Sequence, residues 1–203
     1  MPYFPLFIDL TDRPCLIVGG GRVACRKAEK LLPYKPKLTI VAPHVCPELE
    51  AIPGITILRR PYTAADVNGM SLVIAAAGEQ AVNRAVSRDC RTRNIPVNVV
   101  DDKDSCTFLF PCLVRQGELS VGISTGGASP TAAIWVKNQI EDLLPSRFDE
   151  ILLWLEALRP RLKFEFPDEN RRAALFSALF HACLEKGRAL TEDELTVLME
   201  ATL

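Results

Sequence analysis

The chain has 203 residues, 48% of them hydrophobic, and a formal net charge of −1. That balance gives no electrostatic basis for general nucleic-acid or membrane binding, and no apolar run reaches the length that spans a bilayer. The start, Met1-Pro2-Tyr3-Phe4-Pro5, lacks a basic segment and a signal-like apolar core, and the seven cysteines include no C-x-x-C pair, so reduced thiols and a cytoplasmic location are expected.

Residues 3–10 are partly apolar and read as a short strand or an arm laid against the domain, with Asp12-Arg13-Pro14 turning into the first strand. Cys15–Val18 is a continuous apolar run, which suits a strand buried on both faces of a parallel sheet. Gly19, Gly21 and Ala24 follow at the spacing G-x-G-x-x-A. In such a loop the first glycine permits a tight turn and the second lets backbone approach a pyrophosphate. The small third residue lets the next helix pack close to the strand. That helix, from about Arg22, offers unpaired N–H groups and a positive dipole end to the phosphates. The same glycines also fit a plain turn with no ligand.

Val23 to Leu32 reads as helix, stopped by Pro33 and Pro36. Leu38–Val41 is the second strand. Its end carries Val41-Ala42-Pro43-His44, with neither the carboxylate that would hold an adenine ribose nor an arginine for a 2′-phosphate. Ile55–Leu58 is a third strand and Leu72–Gly78 a fourth, whose small last residues leave space for a ligand. A helix follows over about 79–93, then a fifth strand, Val97–Val100, with polar Asn98 inside it and Asp101-Asp102 at its end. This alternation predicts a Rossmann-like doubly wound parallel sheet over residues 1–106.

The pattern then changes. Thr107–Arg115 and Leu119–Ser124 read as strands joined by a turn at Gln116-Gly117. Ser129 suits a helix N-cap and Pro130 the first helical turn, with apolar Ala133, Val136, Ile140 and Leu143 at helical spacing. Residues 107–146 are therefore expected to form a dimerisation and substrate region. Residues 147–203 read as a helical domain, with stripes at Phe148, Ile151, Leu152, Leu155 and Leu158 and at Leu175, Phe176, Leu179, Phe180 and Cys183. Thr191 and Glu194 form a capping box. His181 lies in the second stripe and reads as a core or interface residue. The basic set Arg159, Arg161, Lys163, Arg171 and Arg172 fits either a carboxylate-rich ligand or a solvated face.

Three motifs together, C-L-I-V-G-G-G-R-V-A-x-R-K, N-V-V-D at 98–101 and S-T-G-G-A-S-P at 124–130, resemble the precorrin-2 dehydrogenase/sirohydrochlorin ferrochelatase family of siroheme synthesis over essentially the whole chain. The resemblance implies NAD-dependent oxidation of precorrin-2 to sirohydrochlorin, Fe²⁺ as a further substrate, and a homodimer. It implies also a separate uroporphyrinogen methyltransferase supplying the substrate. Asp101, expected at the carboxyl end of a central strand, matches the aspartate implicated in both activities. A carboxylate there suits a general base and a brief hold on Fe²⁺, although Asp101, Asp102 and Asp104 also fit a solvated turn. The resemblance further places Asn98, Ser124, Thr125, Gly126 and Gly127 at the substrate, with Thr125 where some relatives have a phosphorylatable serine. Gly19, Gly21, Arg22, Val23, Ala24, Pro43 and His44 fall at the cofactor. Ala77-Gly78 departs from the threonine and acidic residue common after the fourth strand. A carrier or sensor without turnover would need the pocket but not Asp101, and a ferrochelatase alone would need Asp101 but not the nucleotide site.

Overall fold

The first apolar run becomes β1 (Pro14–Val18), the middle strand of a five-stranded parallel sheet ordered β3-β2-β1-β4-β5 in the computed structural model, which describes residues 3–201. Its neighbours are β2 (Lys37–Val41) and β4 (Leu72–Ala75), with β3 (Thr56–Leu58) and β5 (Val97–Val99) at the edges. The order reverses between β2 and β4, so β1 ends at the switch point where open α/β sheets bind ligands. The chain divides into two units, Met1–Phe110 and Pro111–Leu203.

In the first unit, alternation along the strands serves two layers. Cys15, Ile17, Leu38, Ile40, Leu72 and Ile74 pack with Ala24, Ala28 and Leu31 of α1 (Arg22–Leu31) and with Leu49 of α2 (Pro47–Glu50). Leu16, Val18, Val73, Ala75, Val97 and Val99 meet Val86 and Cys90 of α3 (Gln80–Thr92) together with Val67. A bidentate ion pair from Arg60 to the nearly buried Asp66 folds the segment before β4, and Asp66 also accepts the Thr63 N–H at 2.8 Å.

Several details depart from the sequence reading. Residues 3–10 form no strand; Phe4, Leu6, Phe7 and Ile8 are exposed and Leu10 alone of this arm is buried. The fifth strand lies at the sheet edge. Residues 107–111 are not a strand, because Thr107 caps that edge instead. Its N–H donates to the Val97 carbonyl at 2.8 Å, and its Oγ1 accepts the Val97 N–H at 2.8 Å. An edge that would otherwise present free ladder groups is thereby covered.

In the second unit β6 (Cys112–Gln116) and β7 (Leu119–Ile123) form an antiparallel hairpin turned by Gly117, φ +56°. Four helices follow: α4 (Pro130–Leu143), α5 (Phe148–Glu165), α6 (Glu169–Lys186) and α7 (Glu192–Ala201). The last three enclose a core of Ile151, Leu162, Leu175, Leu179, Cys183 and Leu195. The α4 stripe is not a core face: Ala133 is buried, but Leu143 is 81% exposed. His181 is exposed beside the Phe180 ring, on the side of α6 away from Leu179 and Cys183, and so is no core residue. No helix among the described residues is long and apolar enough to cross a membrane.

The capping box forms as read, with the Thr191 N–H donating to Glu194 at 2.9 Å. The Arg188 guanidinium, that N–H and the Lys186 ammonium hold the Glu194 carboxyl well below the usual carboxylate range. A depressed carboxylate gives stability that is complete above its ordinary value of 4.5 and is lost as pH falls below it. Glu194→Gln should therefore lower thermal stability at pH 7, where the carboxylate's contribution is complete, and change little well below about pH 4.5, where it is lost in the wild type as well; melting curves followed by circular dichroism across this range check this.

Candidate functional site

The loops after β1, β4 and β5 leave the carboxyl edge of the parallel sheet. The first is fixed by backbone crowding. A Cβ on Gly19 (φ +130°) would lie 2.3 Å from the Ala76 carbonyl oxygen, and one on Gly20 would lie 2.0 Å from that of His44. The Gly20 carbonyl accepts the Cys46 N–H at 2.7 Å, which ties the loop to the segment after β2. Gly20 thus matters as much as the motif glycines, a role the triple glycine signals but the G-x-G-x-x-A spacing hides.

Gly21 differs. It is the extended N-cap of α1, and a Cβ there would meet nothing within 4 Å. No side chain caps this helix and no acidic residue lies in its first turn. Ala24 is fully buried against the sheet, whereas Arg22 and Val23 are exposed. The first-turn N–H groups therefore face outward without a side-chain acceptor, the arrangement that binds a pyrophosphate. Pro43 and His44 are exposed beside this loop. The donor set fits a dinucleotide through backbone groups, and nothing at Val41–His44 selects between the two nicotinamide cofactors.

The loop after β4 is clamped by buried Asn83, whose Oδ1 accepts the Ala77 N–H and whose Nδ2 donates to the Ala77 carbonyl, each at 2.9 Å. This residue was missed from sequence; a polar side chain on the inward face of α3 is its only signal. After β5, Val100 still donates to the Ala75 carbonyl at 3.0 Å, and Asp101 follows with φ +58°. Aspartate tolerates this left-handed conformation better than most residues. Its carboxylate is exposed and has no hydrogen bond or ion pair among the described residues. Asp102, by contrast, accepts the Ser105 Oγ–H at 2.7 Å and closes the turn. Buried Asn98 donates through Nδ2 to the Phe108 carbonyl at 3.2 Å, so it positions the 106–110 segment. Cys106 Sγ accepts the Val99 N–H at 3.1 Å. Phe110 lies under Lys27, whose Nζ is 4.1 Å from the ring centroid.

In the second unit, Ser124–Gly127 precedes α4. The Thr125 hydroxyl donates to the Ser129 carbonyl at 3.1 Å and accepts the Ser129 N–H at 3.2 Å, while Ser129 Oγ caps α4 by accepting the Ala132 N–H at 3.1 Å. Gly126 and Gly127 both have positive φ, +63° and +85°, which explains the paired glycines as a left-handed turn. The basic set is largely engaged elsewhere: Arg161 pairs with Glu165 and Glu192, Arg172 donates to the Phe166 carbonyl, and Arg159 lies over Phe176. Among the described residues no group of three or more His, Cys, Asp or Glu side chains is placed to hold a metal ion.

Sheet order, glycine loop and uncapped α1 define a Rossmann-like dinucleotide-binding protein. The family model described as "Putative NAD(P)-binding" matches residues 6–112, and that described as "Sirohaem biosynthesis protein central" matches residues 116–143. The chain belongs to the first of these, the NAD(P)-binding family. It is 39% identical to a siroheme synthase of Thioalkalivibrio sulfidiphilus over 88% of this chain and 37% of that protein. It is 38% identical to one of Methylococcus capsulatus over 99% of this chain and 44% of that protein. The chain thus spans less than half the length of these curated relatives. A solved structure described as SirC, precorrin-2 dehydrogenase, shares the fold with a TM-score of 0.74 at 23% identity, covering 98% of both chains.

The two glycines should separate in mutagenesis. Gly20→Ala forces a clash with the His44 carbonyl and should destabilise the protein by about 1–3 kcal/mol, whereas Gly21→Ala should stay within about 1 kcal/mol. Chemical denaturation of both variants checks this.

Proposed function

We propose that the protein oxidises precorrin-2 to sirohydrochlorin with NAD⁺, and that the same carboxylate serves Fe²⁺ insertion into the product. The observation that carries this reading is an unpaired, exposed Asp101 carboxylate at the carboxyl edge of the sheet where the uncapped glycine loop also lies, in a chain whose residues 116–143 match the sirohaem biosynthesis central model. The backbone N–H groups at Gly21–Ala24 would hold the cofactor pyrophosphate, with Arg22, Val23, Pro43 and His44 around it. Bound NAD⁺ supplies the hydride acceptor. Asp101 takes the proton that leaves the macrocycle as it loses two hydrogens, and Asn98 keeps the neighbouring segment in place for it. In metallation the iron displaces two pyrrole protons, and Asp101 accepts a proton or briefly holds the incoming ion.

Ser124, Thr125, Gly126 and Gly127 are assigned to substrate carboxylates, since they form a left-handed turn that carries two hydroxyls just before α4. Residues 107–146 serve dimerisation and substrate binding, and residues 147–203 form the helical domain. The exposed Ile134, Trp135 and Leu143 on α4 are apolar surface that a second copy would cover. All seven cysteines are free, which suits a reducing cytoplasm.

Asp101→Asn keeps a residue that tolerates left-handed backbone but removes the base. It should leave stability within about 0.5 kcal/mol and lower the rate of precorrin-2 oxidation by about 10²–10⁴-fold, read anaerobically by absorbance. Near-normal turnover would return Asp101 to the ordinary turn residues. Gly21→Asp supplies α1 with a good N-cap, so it should fold at least as well as the wild type and yet lose NAD⁺ binding in calorimetry. Sedimentation should show a dimer at micromolar concentration, which Trp135→Glu converts to monomer.

A further inference from the structure

Lys27 has no part in the roles assigned so far, yet it occupies an unusual place. On α1 it stands between Ala24, Ala28 and Leu31, all buried against the sheet, where the helical stripe calls for an apolar side chain. It is half-buried, and its Nζ sits 4.1 Å over the Phe110 ring. Among the described residues it has no hydrogen bond and no ion pair. A ring face holds an ammonium by its quadrupole without using its three N–H donors. Burial lowers its pKa below the usual lysine value and Lys30 adds to this, while Cys106 and Asp101 act in the opposite direction. A cation kept half out of water with its donors unused is a cost to the fold that a ligand would repay.

We infer that Lys27 is a substrate anchor, its ammonium over Phe110 binding a carboxylate of an acid-rich macrocycle beside Asp101. This rests on the reading of the protein as a tetrapyrrole dehydrogenase. Side chains on a helix lean toward its N-terminus, so Lys27 leans toward the carboxyl edge of the sheet, where α1 begins. A cofactor pyrophosphate is the other anion available there. Lys27 lies five residues beyond the first helical residue, roughly 7–8 Å along the axis from the N–H groups suited to phosphate, and the Phe110 under its ammonium ends the 106–110 segment that Asn98 ties to β5, the strand that leads into Asp101. That places it with the proton-accepting carboxylate, not with the glycine loop.

The test compares Lys27→Met and Lys27→Arg with the wild type in three measurements: fluorescence quenching by uroporphyrin, a planar octacarboxylate; NAD⁺ binding by calorimetry; and KM for enzymatically made precorrin-2. Lys27→Met should weaken uroporphyrin binding and raise KM by about 10–100-fold, with NAD⁺ affinity unchanged and thermal stability equal or higher. Lys27→Arg should recover most of the loss. Unchanged uroporphyrin affinity in Lys27→Met overturns the inference, and so does a matching loss of NAD⁺ affinity, which would assign the lysine to the cofactor. Wild-type protein that binds uroporphyrin through Lys27 but does not oxidise precorrin-2 overturns the dehydrogenase reading alone. Normal turnover with a KM indifferent to Lys27 overturns the anchor alone.

Discussion

The first unit depends on the crowding of three backbone segments at the end of β1. The chain leaving Val18 must pass between the carbonyls of Ala76 and His44, and at Gly19 and Gly20 there is no room for a single carbon. Because the passage is so narrow, it also fixes its neighbours. The Gly19 N–H holds the Val41 carbonyl at 2.9 Å, the Ala76 N–H holds Val18 at 2.7 Å, and Cys46 is tied to Gly20. Asn83 then closes the β4 loop from the other side with two bonds to one residue. The outcome is a helix α1 whose start is rigidly aimed and chemically uncapped, which is what an anion site made of backbone requires.

Much of this was legible in the sequence because it rests on local pattern. Continuous apolar runs gave buried parallel strands, glycines gave the turn, and Ser129-Pro130 and Thr191 with Glu194 gave caps that the structure forms with the expected bonds. What escaped depended on pairing. Nothing in Val97–Val100 says that the strand lies at an edge, because its burial comes from α3 on one face and the 106–110 segment on the other. Thr107 looks like a strand residue since it mimics one, bonding Val97 without extending the sheet. His181 lies in sequence between buried Leu179 and Cys183, but two steps of about 100° from either take it from the buried side to solvent.

The two glycine pairs show how one residue type answers different demands. Gly19 and Gly20 are required by the protein's own atoms, whereas Gly126 and Gly127 are required by positive φ in a turn whose hydroxyls are largely engaged in capping α4. Gly21 meets neither demand. It has ordinary φ and open space around its missing side chain. A glycine that the fold does not need is better evidence for a ligand than one that it does.

The charges at the sheet edge follow a similar logic. Among the described residues no ion pair joins Lys27 and Asp101. Direct pairing would stabilise the carboxylate's charged form, weaken it as a base and occupy the ammonium's donors. Held apart, one by the Phe110 ring and the other by a left-handed turn, both groups keep their valence for something outside the chain. An acid-rich substrate approaching a lone carboxylate would be repelled; a cation in the same field offsets that repulsion while leaving the base free. On the proposed reading, the separation is therefore the feature that would allow a carboxylate to act on a carboxylated ligand.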